Sequence, residues 1–577
     1  MQSQNLINSS PKRALLSSVF GPYGVDDAYG RKENLMELFH NQITKAQGIA
    51  SLRLHHRSFG LYFLAANVRA EVTVLDFPSR KRFIREIHKQ YDLVGISFIT
   101  PNCAKAREMA RLIRRHAPAT TIVLGGHGAA IEDLETLIDC DHIVCGEGIS
   151  WLRSYLGQDP QDPIVHPTLP SNDYRRILGV PLKGPTASLL VPGVGCPNGC
   201  RFCSTSHFFN KDYVPFIRTG QEFFQLACRI SEESGSDSFF VMDENFLKQK
   251  QRAQELLSLM EKHRRWFRFQ IFSSADTILD FGLDNLVRLG VGLIWIGVES
   301  KTGLLFEKNA GIDFHSLVRE LRDRGIAVLT SGILCLEHHT PSNMQEDIDF
   351  LIGLEPDMVQ FMLMTGLPVT RLYQELKGAG SLRLDLPFEE WHGQKRLNYA
   401  HPDFPNDLPE KWLQAAFEAD YRRNGSTILR LAETAARGAR NLNGMLGHGE
   451  VFKARHAQAL DQVRELRPLI PLMKRSSVNA QERERVGQLE ETMEELIGPK
   501  STKDLGLSLA ASATARIWSW RLRLLGDRIQ PRTRVTRYGV DRDSRAPSPE
   551  LLSSIGRTEH RTDAAANEDM VSPPEAG

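Results

Sequence analysis

Three cysteines crowd into one short segment, Pro192-Gly193-Val194-Gly195-Cys196-Pro197-Asn198-Gly199-Cys200-Arg201-Phe202-Cys203, separated by three and then two residues. Thiolates are the protein ligands that iron-sulfur clusters prefer, and a loop this compact can wrap three corners of an iron-sulfur cube while leaving one iron open. Gly195 and Gly199 let the backbone turn tightly, and Phe202 would screen one side of a cluster from water. The competing chemistry is a structural zinc site, because His207 follows Cys203 by four residues and would complete a Cys3His set. Zinc ribbons usually assemble from two separated ligand pairs, whereas these thiols share one loop just after a predicted strand, which favours the cluster. Cys103, Cys140, Cys145 and Cys228 are assigned to packing, and Cys335 reads as a small buried hydrophobe.

The elements that must position this loop follow from the apolar pattern. From Ala14 to about Trp151, short β-type runs (Ala14 to Phe20, Val72 to Asp76, Leu93 to Phe98, Thr121 to Leu124 and His142 to Cys145) are separated by helical stretches such as Leu61 to Val68 and Ala104 to His116. Strands alternating with helices imply parallel pairing, and continuous apolar strands imply a sheet covered on both faces, hence a doubly wound, Rossmann-like α/β domain. Ligands of such sheets lie beyond the C-terminal strand ends. Here those ends carry Gly21-Pro22-Tyr23-Gly24, Thr100-Pro101, Gly125-Gly126-His127-Gly128 and Gly146-Glu147-Gly148.

A second series follows, with strands expected at Ala187 to Val191, Ser238 to Met242, Phe267 to Phe272, Leu293 to Val298, Ala327 to Ile333 and Met358 to Leu363. Six βα units suit a partial parallel barrel whose mouth collects the strand ends. The expected division is an α/β domain over 1–155, a linker over 156–185, the barrel over 186–400, a helical region over 401–540 and a disordered tail over 541–577.

With Lys+Arg at 71 and Asp+Glu at 70, the chain is not built to bind nucleic acid along its length, and any charge-driven contact must be local. No signal-like N-terminus or long apolar run is present and cysteines are few, so a cytoplasmic protein is expected.

The Cys196-x3-Cys200-x2-Cys203 spacing with an aromatic residue before the last cysteine resembles the signature of the radical S-adenosylmethionine superfamily. The α/β domain ahead of it is similar to the cobalamin-binding domain of the large subgroup that joins the two. The resemblance implies a 4Fe-4S cluster on the three cysteines, S-adenosylmethionine on the open iron, and cobalamin across the domain interface. Further segments match in order. Asp243 and Glu244 end the second barrel strand in an acidic motif, and Glu299-Ser300 completes a Gly-x-Glu-Ser segment near the S-adenosylmethionine. Pro368-Val369-Thr370-Arg371-Leu372-Tyr373 departs from a Pro-Gly-Thr-x-Leu-Tyr segment at Val369, and Cys335 replaces a second glycine. The bland alternatives are that Glu299 caps a helix and that Asp243 and Glu244 form a solvated loop.

No Asp-x-His-x-x-Gly occurs, which for this subgroup implies cobalamin held without a histidine ligand; Gly125 and Gly126 would let the corrin or its tail pass closely, and His127 reads as a loop polar residue. The alternative is a domain that holds nothing. Acid-base side chains supply about 3 to 6 kcal/mol, too little to break an unactivated C–H bond, so the cofactors must carry the chemistry. The resemblance then implies hydrogen abstraction by a 5'-deoxyadenosyl radical and methyl delivery from methylcobalamin to an unactivated carbon. No side chain is assigned a catalytic role. Rival readings are a non-methylating radical oxidation, cyclisation or rearrangement, and a cobalamin-dependent sensor with a structural metal site.

The expected partners are a small-molecule or lipid-like substrate and an external electron donor such as flavodoxin or ferredoxin. From Arg516 to Arg537 seven arginines stand against one aspartate, with Leu509, Ala513, Ile517, Trp520 and Leu524 on one helical face. Such a helix can rest on an anionic membrane or pack on its own barrel, and packing is the preferred reading.

Overall fold

The computed structural model describes residues 12–21, 47, 57–170, 176–177, 180–181, 187–302, 306–525 and 533–540. Most of the Gly21 to Gly24 turn, parts of the linker, and the tail beyond Val540 lie outside the described residues.

The first sheet runs β1 (Arg13–Ser18), β2 (Glu71–Asp76), β3 (Leu93–Ser97), β4 (Thr121–Gly125) and β5 (His142–Ile143), all parallel in the spatial order β2-β1-β3-β4-β5. Alternate side chains leave on opposite faces. Leu15, Leu75, Val94, Ile96, Ile122 and Leu124 pack in one core, and Ala14, Leu16, Val72, Val74 and Leu93 in another. Helices α1 (Phe59–Ala66) and α4 (Gly148–Tyr155) cover the second face, α2 (Arg80–Ile87) and α3 (Cys103–His116) the first. This is the doubly wound architecture expected, and its strand order reverses between β1 and β3.

Part of the expected linker is a strap: β6 (Leu169–Pro170) pairs antiparallel with the first barrel strand, β7 (Ser188–Leu190). A short antiparallel hairpin, β8 (Gly193–Gly195) with β9 (Tyr213–Pro215), then brackets the cysteine loop and the helix α5 (Ser204–Phe208). Helix α6 (Gly220–Ser234) starts at a Thr219–Glu222 capping box and stops at Gly235 in the left-handed region. The sheet continues through β10 (Ser238–Val241), β11 (Arg268–Phe272), β12 (Val291–Glu299), β13 (Ala327–Leu334) and β14 (Met358–Leu363), each parallel to its neighbours. Phe239, Phe269, Ile271, Ile294 and Ile296 point into the layer of helices. The intervening Phe240, Phe272 and Trp295 therefore face the other side, toward the barrel interior. Helix α7 (Arg371–Gly378) follows the last strand.

The C-terminal region is a helical bundle of α8 (Leu408–Asn424), α9 (Thr427–Asn443), α10 (Glu450–Leu466), α11 (Ala480–Ile497) and α12 (Thr502–Leu525), with shorter helices between. Helix α9 docks on the barrel where two glycines meet: a Cβ on Gly325 would stand 2.9 Å from the Gly438 Cα. The helical expectation fails at its end. Arg534–Tyr538 forms β15, which pairs antiparallel with β2 and covers that edge of the first sheet.

Candidate functional site

The cysteine loop is held by its own backbone. Gly195 (φ +88°) and Gly199 (φ +64°) both lie in the left-handed region, and a Cβ on Gly195 would run into the Asp212 carbonyl. Ser206 Oγ donates to the Cys196 carbonyl at 2.5 Å and accepts from Gly199 N at 3.0 Å, while Cys203 N donates to the Cys200 carbonyl at 3.0 Å. Burial raises all three thiols above their ordinary range, Cys203 up to about 12, and the charges of Cys200 and Cys196 also act on Cys203, so the three sulfurs share one neighbourhood. Thiols in such surroundings lose their protons readily only when a cation arrives, and three of them on one loop suit an iron-sulfur cluster. His207 is engaged elsewhere: its Nε2 lies 3.2 Å from the Cys200 carbonyl, which takes it from the zinc alternative. Phe202 stands edge-on to Phe306 at 5.7 Å and packs against the barrel core on one flank of the loop.

The acidic residues at the strand ends gather here, with distinct tasks. Asp243 is fully engaged by Arg252 Nη2 at 2.6 Å and the Tyr213 hydroxyl at 2.9 Å, which tie β10 to the hairpin beside the cysteines. Its neighbour Glu244 has an exposed side chain, yet desolvation by the surrounding protein together with the Asp243 charge pushes its pKa up to about 7; its field reaches Cys196 and Cys203. Glu299 sits at φ +68° on a register shift of β12 against β13, a bulge that re-aims its carboxylate to Lys308 Nζ at 2.7 Å. Gly297 makes room for that pair, since a Cβ there would collide with the Glu299 carboxylate and approach Lys308 Nζ to 2.6 Å. Although burial pulls Lys308 down, Glu299 and the thiols Cys200 and Cys203 hold its pKa above the ordinary lysine value. Glu299 thus has a nearby cation instead of a helix end to cap. Ser300 is buried in the adjoining turn, with Oγ 3.1 Å from the Thr302 hydroxyl.

Three positions were outside the reach of the sequence. Arg201 bridges Glu337, at 2.6 Å, and Glu375, so the loop is pinned to the end of β13 and to α7. Leu372 N donates to the Arg201 carbonyl at 3.0 Å, and Thr370 caps α7 by accepting from Tyr373 N, which accounts for the Thr-x-Leu-Tyr spacing. Lys308 is the third. Cys335 (φ +56°) and Val369 (φ +71°), the two places where the resemblance expects glycine, do have left-handed backbones.

The first domain faces this loop. His127 stacks on Phe208 of α5 at 4.5 Å, and Glu132 accepts from the Tyr373 hydroxyl at 2.9 Å and from Gln374 Nε2 at 3.0 Å. Between the two units a cavity of about 350 Å³ is lined by Ala129, Ala130, Cys145, His207, Phe208 and Val369, among others. His127 Nδ1 is buried with no hydrogen-bond partner among the described residues, a polar atom at the strand ends that a bound group would satisfy. Gly126 has an internal reason to be glycine: it lies at φ +79°, and its Cβ would stand 2.6 Å from the Phe98 carbonyl. A Cβ on Gly125 would meet only the Val144 carbonyl, at 3.9 Å, an ordinary contact that leaves room there. The glycine pair is therefore explained half by packing and half by room.

Two families match in tandem: the B12 binding domain over residues 48–155 and the radical SAM superfamily over residues 190–351. The chain carries a B12 binding domain followed by a radical SAM domain. Among curated relatives of this kind, an uncharacterized methyltransferase of Pyrococcus horikoshii is 22% identical over 359 residues, 55% of this chain and 77% of that one. The bacteriochlorophyllide d C-12(1)-methyltransferase of Chlorobaculum tepidum is 26% identical over 50% of this chain and 66% of its own. The hopanoid C-2 methylase of Rhodopseudomonas palustris is 22% identical over 33% of this chain and 37% of its own. The chain thus spans less than two thirds of the last two proteins. Among solved structures, the radical S-adenosylmethionine methyltransferase TsrM from Kitasatospora setae, with cobalamin and a 4Fe-4S cluster bound, is similar at 17% identity and TM-score 0.49 over 79% of this chain and 99% of that chain.

Proposed function

We propose that the protein is a cobalamin-dependent radical S-adenosylmethionine methyltransferase acting on an unactivated carbon of a small, largely apolar molecule. When bound, the cluster supplies the electron that cleaves S-adenosylmethionine to a 5'-deoxyadenosyl radical, and cobalamin supplies the methyl group. The observation that carries the reading is the convergence of Cys196, Cys200 and Cys203 with Glu244, Glu299 and Lys308 at a barrel mouth that faces the strand ends of a B12-binding domain.

Cys196, Cys200 and Cys203 hold the cluster within residues 186–400, and residues 1–155 hold cobalamin, with Gly125 giving room and Gly126 fixing the loop. Glu299, held by Lys308 at 2.7 Å, and Ser300 line the approach to S-adenosylmethionine. Glu244, able to keep its proton near neutrality, serves as a neutral hydrogen-bond donor there. Asp243 is a positioning residue, because Arg252 and Tyr213 share its Oδ2 and the Asn245 amide donates to its Oδ1.

The interior wall supports the substrate class. Phe240 and Phe272 rings lie 5.6 Å apart and Phe272 stacks on Trp295 at 5.1 Å, an aromatic ladder on three adjacent strands. Gln360 of β14 is 4% exposed with an unpartnered Oε1, and its register partner Ser331 stands beside it. This surface fits a large ring system with one polar group, and two relatives are named for a hopanoid and a bacteriochlorophyllide. The electron comes from an external donor such as flavodoxin or ferredoxin, and eight free cysteines suit the reducing cytoplasm. Incubation of anaerobically reconstituted protein with methyl-labelled S-adenosylmethionine and a cell extract should give a product heavier by one labelled methyl replacing hydrogen. An isomer or an oxidised product contradicts the methyl transfer.

A further inference from the structure

Helix α12 differs from every other helix of the molecule in what it leaves uncovered. Of the thirteen large apolar side chains exposed among the described residues, six are on it. Leu505 (53% exposed), Leu509 (74%), Ile517 (49%), Trp520 (67%) and Leu524 (62%) recur at spacings of three and four when Ala513 is included, so they form one stripe about 29 Å long. The expected packing of this face on the barrel is not what the structure shows. Exposed Arg516 and Arg523 flank one side of the stripe and exposed Lys503 lies toward the other.

The helix is also fixed in place. At its start Arg467 Nη2 pairs with Asp504 at 2.5 Å and Arg467 Nη1 donates to the Gly498 carbonyl at 2.8 Å. Nine residues past its end the chain enters β15, whose first residue Arg534 is in register with Asp76, the last of β2. The chain leaving α12 thus joins the first sheet at the end where its strands open on the ligand crevice.

We propose that α12 is an in-plane anchor that docks the protein on an anionic lipid bilayer. A helix that leaves a stripe of Leu and Trp uncovered with cations at its flanks matches the headgroup boundary, where apolar burial and attraction to anionic lipid add. Charge selects this occupant. The whole chain has a formal net charge of +1, yet α12 itself carries Lys503, Arg516, Arg521 and Arg523 against Asp504 alone, which Arg467 already holds, so two copies meeting here would repel. The segment 541–577, with eight acidic and four arginine residues, has the opposite sign but splits its large apolar residues between Leu551, Leu552 and Ile555 and, fifteen residues on, Met570 and Val571, so no run of it matches a five-residue stripe. Docking would bring the ligand crevice close to the source of apolar substrates; the surface itself does not depend on the proposed chemistry.

The test is sedimentation of the full chain with phosphatidylcholine vesicles containing about one third phosphatidylglycerol, against phosphatidylcholine alone, at low and high salt. The expected result is binding to the anionic vesicles that salt weakens. The double variant L509D/W520D should bind at least about tenfold more weakly, and R516E/R523E should lose the anionic preference. Both should retain wild-type melting temperature and S-adenosylmethionine cleavage without lipid, which separates this surface from the chemistry. Failure to bind anionic vesicles, or undiminished binding by L509D/W520D, overturns the proposal. So does binding only after deletion of 541–577, which would make the tail the occupant, or a lipid-free dimer that L509D/W520D dissociates.

Discussion

Replacing Arg252 by methionine is the sharpest structural perturbation near the site. Arg252 and Asp243 each expose only 2% of their side chains and pair at 2.6 Å, and Arg252 also donates to the Tyr213 hydroxyl at 2.8 Å and the Ile217 carbonyl at 3.2 Å. Methionine keeps the apolar stem but leaves a buried carboxylate without its cation, a change that costs about 3 to 5 kcal/mol. For a cooperative unit of about 200 residues, at about 2 to 4 °C per kcal/mol, this lowers the melting temperature by about 6 to 20 °C. Calorimetry on the cofactor-free protein reads the effect without interference from the cluster. The double variant D243N/R252M removes the stranded charge and should recover at least half of the loss. A shift below about 2 °C for R252M, or a double variant no better than the single one, refutes the assigned clamp.

Three other perturbations follow from particular contacts. Burial holds His127 at about 4, below the ordinary 6.5, so the folded protein binds fewer protons; stability is full above pH 6.5 and falls as pH drops toward 4, by up to about 3 kcal/mol at about 1.4 kcal/mol per unit. Urea titrations from pH 7.5 to 4 should show a shallower acid loss for His127→Phe, with some left because His166 is likewise held at about 3; an unchanged slope contradicts the assignment. Gly438→Ala should cost about 1 to 3 kcal/mol by forcing α9 from Gly325, where the two backbones already meet, and a wild-type melting curve would show that the contact yields freely. Val369→Gly should stabilise the fold by about 1 kcal/mol, because a β-branched residue at φ +71° stores about 1 to 3 kcal/mol while glycine gives back about 0.5 to 1 in unfolded-state entropy; destabilisation would show that the valine earns its place in the interdomain cavity.

The parallel sheets were legible because their physics is local. Buried parallel strands must be continuously apolar, and Val72 to Leu75, Leu93 to Ile96 and Leu293 to Val298 announce themselves without knowledge of their neighbours. The strand β15 did not, since Arg534-Val535-Thr536-Arg537-Tyr538 is an edge with an arginine on each face: Arg537 Nη2 reaches Glu86 at 2.9 Å, a partner 451 residues earlier. The cysteine trio was legible from spacing alone. The tasks of the carboxylates were not, because Asp243 and Glu244 are adjacent in sequence yet one is buried and clamped by Arg252 while the other keeps an exposed side chain. Likewise the Gly-x-Glu-Ser segment shows where Glu299 is, but its bulge and its pairing with Lys308 arise only when β12 meets β13. No helix among the described residues is long and apolar enough to cross a membrane.

Everything proposed for this site requires Cys196, Cys200 and Cys203 to hold an iron-sulfur cluster with one iron free to take S-adenosylmethionine. Anaerobic reconstitution followed by iron and labile-sulfide analysis, with the electron paramagnetic resonance spectrum of the reduced protein recorded before and after adding S-adenosylmethionine, tests it most directly. The account predicts about four iron and four sulfide per chain, a spectrum that changes on addition, and loss of all three in Cys200→Ala. Stoichiometric zinc, or a cluster whose spectrum ignores S-adenosylmethionine, contradicts it.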